Sequence, residues 1–298
     1  MQTRKTSKRL AALLVAALGI VLAFGLAACG GNSASSSTAS SSASSESASA
    51  ESASAAAASG DNVIKVGATP VPHAEILNDA VAPLVEKAGY KLEVVEFTDY
   101  VLPNTATEDG EIDANYFQHI PYLDDFNAEQ GTHLVNVAGV HIEPMRIYAG
   151  KTASLDALAD GAQVAVPNDT TNEARSLLLL QTAGLITLND PTDLASTPKD
   201  IKDNPKNLKF VEVEAATVPT VLQDVDVAVI NTNYALGAEL SDDLVLQTEA
   251  GDSPYVNVLV VKEGNENTDK TKALIEAITS QDVKDYITEH YKGEVIPV

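Results

Sequence analysis

The chain has 298 residues, 45% of them apolar and 20% charged, and a formal net charge of −23. Such an acidic balance argues against nucleic acid or anionic lipid as the partner of the folded part. The one cysteine, Cys29, leaves no internal disulfide and no thiolate metal site to be formed.

The chain starts with a basic stretch, Arg4, Lys5, Lys8 and Arg9, followed by a run from Leu10 to Ala28 without charge. A basic start, an apolar stretch and small residues at its end predict a signal peptide over residues 1–28. A transmembrane anchor is the rival, because the run is just long enough to span a bilayer. The ending Leu26-Ala27-Ala28-Cys29-Gly30 resembles the lipobox of bacterial lipoproteins, which implies lipidation of Cys29. Each buried methylene of an acyl chain contributes about 0.8 kcal/mol, and two or more chains anchor stably. Residues 30–60 are almost all Ser, Ala and Gly, with Glu46 and Glu51 as the charges. They bury too little apolar surface to fold, and 29–60 is read as the lipidated cysteine plus a flexible tether of roughly 30 Å r.m.s. span. Removing the four basic residues of the leader takes the formal charge from −23 to −27.

From about Asp61 onward, β-like and helix-like segments alternate. Strands are predicted at Val63–Thr69, Leu92–Thr98, Leu134–Val140, Met145–Gly150, Gln163–Pro167, Lys209–Glu214, Val225–Asn231 and Val256–Lys262. Helices are predicted at His73–Ala88, Thr171–Ala183, Val218–Gln223 and Thr268–His290. This alternation implies an α/β fold with largely parallel sheets, whose ligands bind at the carboxyl ends of strands beside helix N-termini.

Sequence patterns for catalysis are scarce: there is no G-x-S-x-G, H-E-x-x-H, P-loop or G-x-G-x-x-G. The histidines at 73, 119, 133, 141 and 290 show no metal-ligand spacing, and the acidic pairs Asp124-Asp125 and Asp242-Asp243 read as solvated faces. Neither a catalytic role, a metal nor a cofactor is expected. Polar and aromatic groups concentrate instead in 97–104, 113–123, 166–180, 228–235 and 253–257. In 166–180, Pro167 closes a strand and Asp169, Thr170 or Thr171 can cap the next helix. The N-terminus of that helix favours an anion, and Arg175, about one turn in, can grip a carboxylate in a bidentate manner. Arg146 and Arg175 are the only arginines after the leader, whereas a solvated face would more naturally use lysine.

Taken together, the stretches Phe117-Gln118-His119, Pro121-Tyr122-Leu123, Val164–Asp169, Asn204–Lys209 and Ser253–Asn257 resemble the methionine-binding lipoproteins of bacterial ABC importers, the NlpA/MetQ family. The resemblance runs from Val66 to the C-terminus. It implies a two-lobe, periplasmic-binding-protein-like (type II) fold with a hinge, and methionine enclosed between the lobes. Lobe one would comprise 61–142 plus 251–298, and lobe two 143–250. Carried over residue by residue, Arg175 is implied as the carboxylate clamp, with Asn172 in the same ligand set. Asn231 and Asn257 are implied as hydrogen bonders to the head group, and Tyr100, Phe117, His119 and Tyr122 as walls around the thioether. The implied partners are methionine, an ABC permease and the membrane through the lipid, with the protein a monomer on the extracytoplasmic face of the cell membrane. No full-charge partner for the ligand ammonium stands out.

The same residues have plainer readings: Phe117 and Tyr122 as core aromatics, Asn231 and Asn257 as turn residues, His119 as a structural histidine. Tyr116 beside Phe117 leaves open which ring faces a ligand, the family spacing favouring Phe117. Rival functions are the same class with D-methionine, a methionine dipeptide or another small amino acid, and a surface lipoprotein with a vestigial pocket.

Overall fold

The computed structural model describes residues 62–251 and 253–298. The predicted leader, Cys29 and the tether lie outside the described residues.

Strand β1 (Val63–Ala68) opens the first sheet, and a wound segment from Pro70 to Val81 leads into α1 (Ala82–Lys87). Next come β2 (Lys91–Glu96), α2 (Leu102–Asp109), β3 (Ala114–His119), α3 (Ile120–Gln130) and β4 (Leu134–Ile142). The chain then crosses into a second sheet with β5 (Arg146–Ala149), β6 (Gln163–Pro167), α4 (Thr170–Thr182), and the short strands β7 (Thr187–Leu188) and β8 (Ile201–Asp203). It continues through β9 (Lys209–Val213), α5 (Val218–Val221), β10 (Val227–Ile230), α6 (Thr232–Gly237) and β11 (Val245–Thr248). A second crossing returns it to β12 (Val256–Lys262), α7 (Asp269–Ile278), α8 (Gln281–Tyr291) and β13 (Ile296–Pro297).

The six-stranded sheet has the order β13-β4-β12-β3-β1-β2, and the five-stranded sheet the order β11-β5-β10-β6-β9. Two lobes joined by two crossings agree with the expected fold class. The expectation of largely parallel sheets needs correction, because both are mixed. Pairings β1–β2, β1–β3, β6–β9 and β6–β10 are parallel, while those to β12, β4, β5, β11 and β13 are antiparallel. The strands that enter or leave the crossings, β4, β5, β11 and β12, all lie in antiparallel pairs, as does β13 near the end of the chain. A chain that passes to the other lobe and returns comes back running the opposite way. In consequence Asn257, at the start of β12, stands beside His119 at the carboxyl end of β3.

Each sheet carries its own cores. In lobe one Ile64, Val66, Ile76, Leu77, Leu259, Val283 and Ile287 are buried under α1, α7 and α8. In lobe two one face of the sheet packs Ile147, Val164, Val166, Leu177 and Leu180, and the other Tyr148, Val218, Leu222 and Ile230. Each such side chain contributes about 1.5–3 kcal/mol on burial. From Asn62 on the chain is therefore a compact unit with its own cores. Among the described residues no helix is long and apolar enough to cross a membrane.

The predicted helix at Thr268–His290 is two helices. Ser280 accepts the Val283 N–H and starts a new helix after Thr279. A tight approach marks the end of β5, where a Cβ on Gly150 would stand 2.3 Å from the Leu222 carbonyl oxygen and 2.5 Å from that of Val225. Backbone oxygens cannot rotate aside. Gly150→Ala is therefore expected to lower Tm by roughly 5–10 °C in calorimetry; an unchanged Tm would mean that this seam yields without cost.

Candidate functional site

Between the two lobes lies a cavity lined by Tyr100, Phe117, Gln118, His119, Tyr122, Glu143, Asn172, Arg175, Asn231, Thr232, Asn233 and Asn257. All eight residues singled out from the sequence thus come together here, from β3, α3, α4, β12 and the loops after β2 and β10.

Each is placed by local chemistry. His119 ends β3 and caps α3, its Nδ1 accepting the Tyr122 N–H at 3.1 Å. Asp169 is the cap of α4, its Oδ1 accepting from the Asn172 N–H at 3.1 Å, so Thr170 and Thr171 lie inside the helix. Of the neighbouring rings, Phe117 lines the cavity, while Tyr116 is buried behind it and donates its hydroxyl hydrogen to His141 Nδ1. Asn231 and Asn233 follow the carboxyl end of β10.

At one end Tyr100, Phe117 and Tyr122 form an apolar box, with ring centroids 5.8, 5.7 and 6.1 Å apart. At the other end Arg175 is 3% exposed, with its guanidinium carbon 4.2 Å from the centroid of the Tyr255 ring. Hydrogen bonds between the lobes close the space: His119 Nε2–H donates to Asn172 Oδ1 at 3.1 Å, and the Tyr100 hydroxyl to Asn233 Oδ1 at 2.7 Å. Asn172 Oδ1 also accepts from Asn231 Nδ2 at 2.9 Å, which leaves Asn231 Oδ1 buried without a partner among the described residues. An orphaned acceptor facing a cavity calls for a donor on whatever fills it. Burial, and then Arg175, push the His119 pKa down to about 3, so its ring is neutral.

Glu143, Asn233, Thr232 and Gln118 line the cavity without having been assigned a role from the sequence. Glu143 matters most. It sits on the first crossing, just after β4, and is 6% exposed. Its Oε1 faces His141 Nε2 at 2.8 Å and His73 Nε2 at 3.2 Å, and its Oε2 accepts the Asn233 N–H at 2.9 Å. The tautomers follow from the acceptors on the Nε2 side: His141 Nε2–H donates to the Glu143 carboxylate and His73 Nε2–H to Asn257 Oδ1 at 3.1 Å, so the Nδ1 atoms accept from the Tyr116 and Thr69 hydroxyls. Burial lowers His73 to about 4 and His141 to about 3, leaving both neutral. Burial raises the Glu143 pKa, and His73, Arg175 and the Asn233 amide pull against it. Two hydrogen bonds, from His141 Nε2 and the Asn233 N–H, therefore support one buried carboxylate at the cavity wall, with His73 Nε2 close beside it. His73, His141 and Glu143 also bring three metal-ligand-type atoms within 4.8 Å of one another, a grouping invisible in linear spacing, but here His141 and Glu143 hydrogen-bond to each other and His73 Nε2 bonds Asn257 Oδ1.

On the same helix as Asn172 and Arg175, Glu173 is 6% exposed, and its Oε1 has no partner among the described residues. Burial, then Glu212 and Asp169, push its pKa up to about 7, against Lys199. In the unfolded chain it titrates near 4.5. The folded form binds the extra proton between these values, so stability falls as pH rises through that window. Glu173→Gln is expected to raise Tm by ~2–5 °C at pH 8 and to have little effect at pH 4.5; equal shifts at both would refute this origin.

The model of the NlpA lipoprotein family matches residues 64–298. The chain belongs to the NlpA lipoprotein family. Among relatives of this NlpA-family protein, the methionine-binding lipoprotein MetQ of Bacillus subtilis is 39% identical over 96% of this chain and 98% of its own length. The D-methionine-binding lipoprotein MetQ of Salmonella typhi is 44% identical over 79% of this chain and 88% of its own. A nutrient-binding protein of Burkholderia cenocepacia, solved bound to methionine, superposes with a TM-score of 0.75 at 43% identity, covering 78% of this chain and 99% of that one.

Proposed function

We propose that this NlpA-family protein captures methionine between its lobes and delivers it to the permease of an ABC importer. One observation carries the reading: the enclosed cavity sets a buried arginine and a buried carboxylate at one end against a three-ring box at the other. A zwitterion taken out of water needs both charges met. Arg175 takes the carboxylate, Glu143 and the open Asn231 Oδ1 take the ammonium, and Asn257 adds a head-group contact. Tyr100, Phe117 and Tyr122 surround the thioether, each sulfur–aromatic contact contributing about 0.3–1.5 kcal/mol. His119 and Asn172 close the wall between lobes rather than reaching far into the space, since each is hydrogen-bonded to the other.

The reading divides the body into lobe one, 61–142 plus 251–298, and lobe two, 143–250, with the ligand favouring the closed form by its contacts to both. It includes lipid on Cys29, an extracytoplasmic position at the cell membrane, a monomer, and no catalytic step. The names of several relatives favour D-methionine as a second reading within the same class.

The test is calorimetric titration of residues 30–298, stripped of bound ligand by unfolding and refolding; the chain has no tryptophan to report by fluorescence. Saturable heat with L-methionine is expected. Heat with the D-isomer alone would change the cargo and keep the class, and silence with every amino acid from a folded protein would sink the reading.

A further inference from the structure

Half of the Arg175 fork is already engaged. Its Nε donates to Glu249 Oε1 at 3.1 Å and Oε2 at 3.2 Å, and its Nη2 donates to Glu249 Oε2 at 2.5 Å and to the Glu143 carbonyl at 2.7 Å. Glu249 stands on the return crossing after β11. Its Oε2 also accepts the Met145 N–H at 3.1 Å, and its own N–H donates to the Met145 carbonyl at 2.8 Å. The guanidinium is thus tied to both crossings, to the first through Glu143 and to the second through Glu249, and lies over the Tyr255 ring. The Glu249 side chain is 15% exposed and does not line the cavity.

We propose that Glu249 is a positioning residue: it holds the Nε–Nη2 edge of Arg175 so that the remaining edge, at Nη1, is presented to the carboxylate of an amino acid in the cavity. This rests on the capture reading above. A free arginine side chain explores many rotamers, whereas a planar fork held along one edge is fixed in plane and loses little further freedom on binding. The paired carboxylate also keeps the unliganded cation from standing alone in the interior. Both Glu249 oxygens face donors only, Arg175 Nε and Nη2 and the Met145 N–H. A glutamine of the same shape would turn its NH₂ against one of them, so Glu249→Gln releases the fork.

After the leader only Arg146 and Arg175 remain, so ¹⁵N-arginine labelling of residues 30–298 gives two Nε–H signals, which Arg146→Lys assigns. In the unliganded protein the Arg175 signal is expected to exchange slowly with solvent, and at least ~10-fold faster in Glu249→Gln. Titrations then compare L-methionine with L-methioninamide, which lacks the carboxylate. Glu249→Gln is expected to weaken the first by ~10-fold or more and the second by less than ~3-fold. Parallel loss for both ligands would mean a purely structural role and overturn the proposal, as would unchanged or tighter binding of L-methionine. If the parent protein binds neither ligand, the capture reading fails separately and the exchange rates alone decide: slow becoming fast supports the grip, equal rates overturn it.

Discussion

Arg175→Ala is expected to weaken methionine binding by about 10²- to 10³-fold. Hydrogen bonds from a charged donor to a carboxylate contribute about 1.5–3 kcal/mol each in a dry site, and Arg175 is 3% exposed. Truncation also leaves Glu249 without its counter-charge, so an incoming carboxylate meets a negative group where it had met a positive one. Arg175→Lys keeps the charge but loses the planar fork, and should recover only part of the affinity. Titration of refolded protein measures both. An alanine variant within threefold of the parent would show that the ligand carboxylate lies elsewhere, and the assignment of the whole polar end would fall with it.

Arg175 was legible in the sequence because its surroundings are local. The cap at Asp169, the close of β6 at Pro167 and the place of the arginine one turn in all sit within a single short stretch. The strands and helices with strong β-branched runs or clean caps were equally readable: β6 and β12 were predicted with their observed limits. By contrast, β3 escaped as a strand because Ala-Asn-Tyr-Phe-Gln-His lacks a β-branched residue and shows no alternation; it is buried on both faces. Its polar side chains are tolerated there because Asn115 and Gln118 bond with Asn104 on α2. The helices α2, α3 and α6 escaped too, being short and entered through Pro103, Pro121 or an asparagine rather than a run of periodic apolar residues.

Glu143 was missed for a different reason. Its partners are His73, 70 residues earlier in the chain, His141 from the strand before it, and the amide of Asn233, 90 residues later. Such a site exists only where two crossings and both lobes meet. Its one sequence signal was a lone acid between a buried strand and Pro144, at the expected point of crossing.

The acid carries the second large effect. Glu143→Gln is expected to weaken methionine binding by about 10²-fold at pH 8, since the ammonium loses its full-charge partner and the new NH₂ turns against one of the N–H donors beside it. The pH profile separates this from a packing defect. In the unliganded protein burial holds the Glu143 pKa above its ordinary value; a bound ammonium favours the ionised form and lowers it. Between the two values the empty site holds a proton that the filled site releases, so affinity is complete above the raised pKa and declines as pH falls through it. His73, lowered to about 4, and His141, lowered to about 3, stay neutral in that range and offer no competing titration. Binding to the parent protein should therefore weaken as pH is lowered through the raised Glu143 pKa, while Glu143→Gln shows a flat profile at its lower affinity. A parent profile without slope, together with a glutamine variant that binds as tightly, would remove Glu143 from the head-group site and leave its two hydrogen-bond donors serving only to keep a buried carboxylate at the hinge.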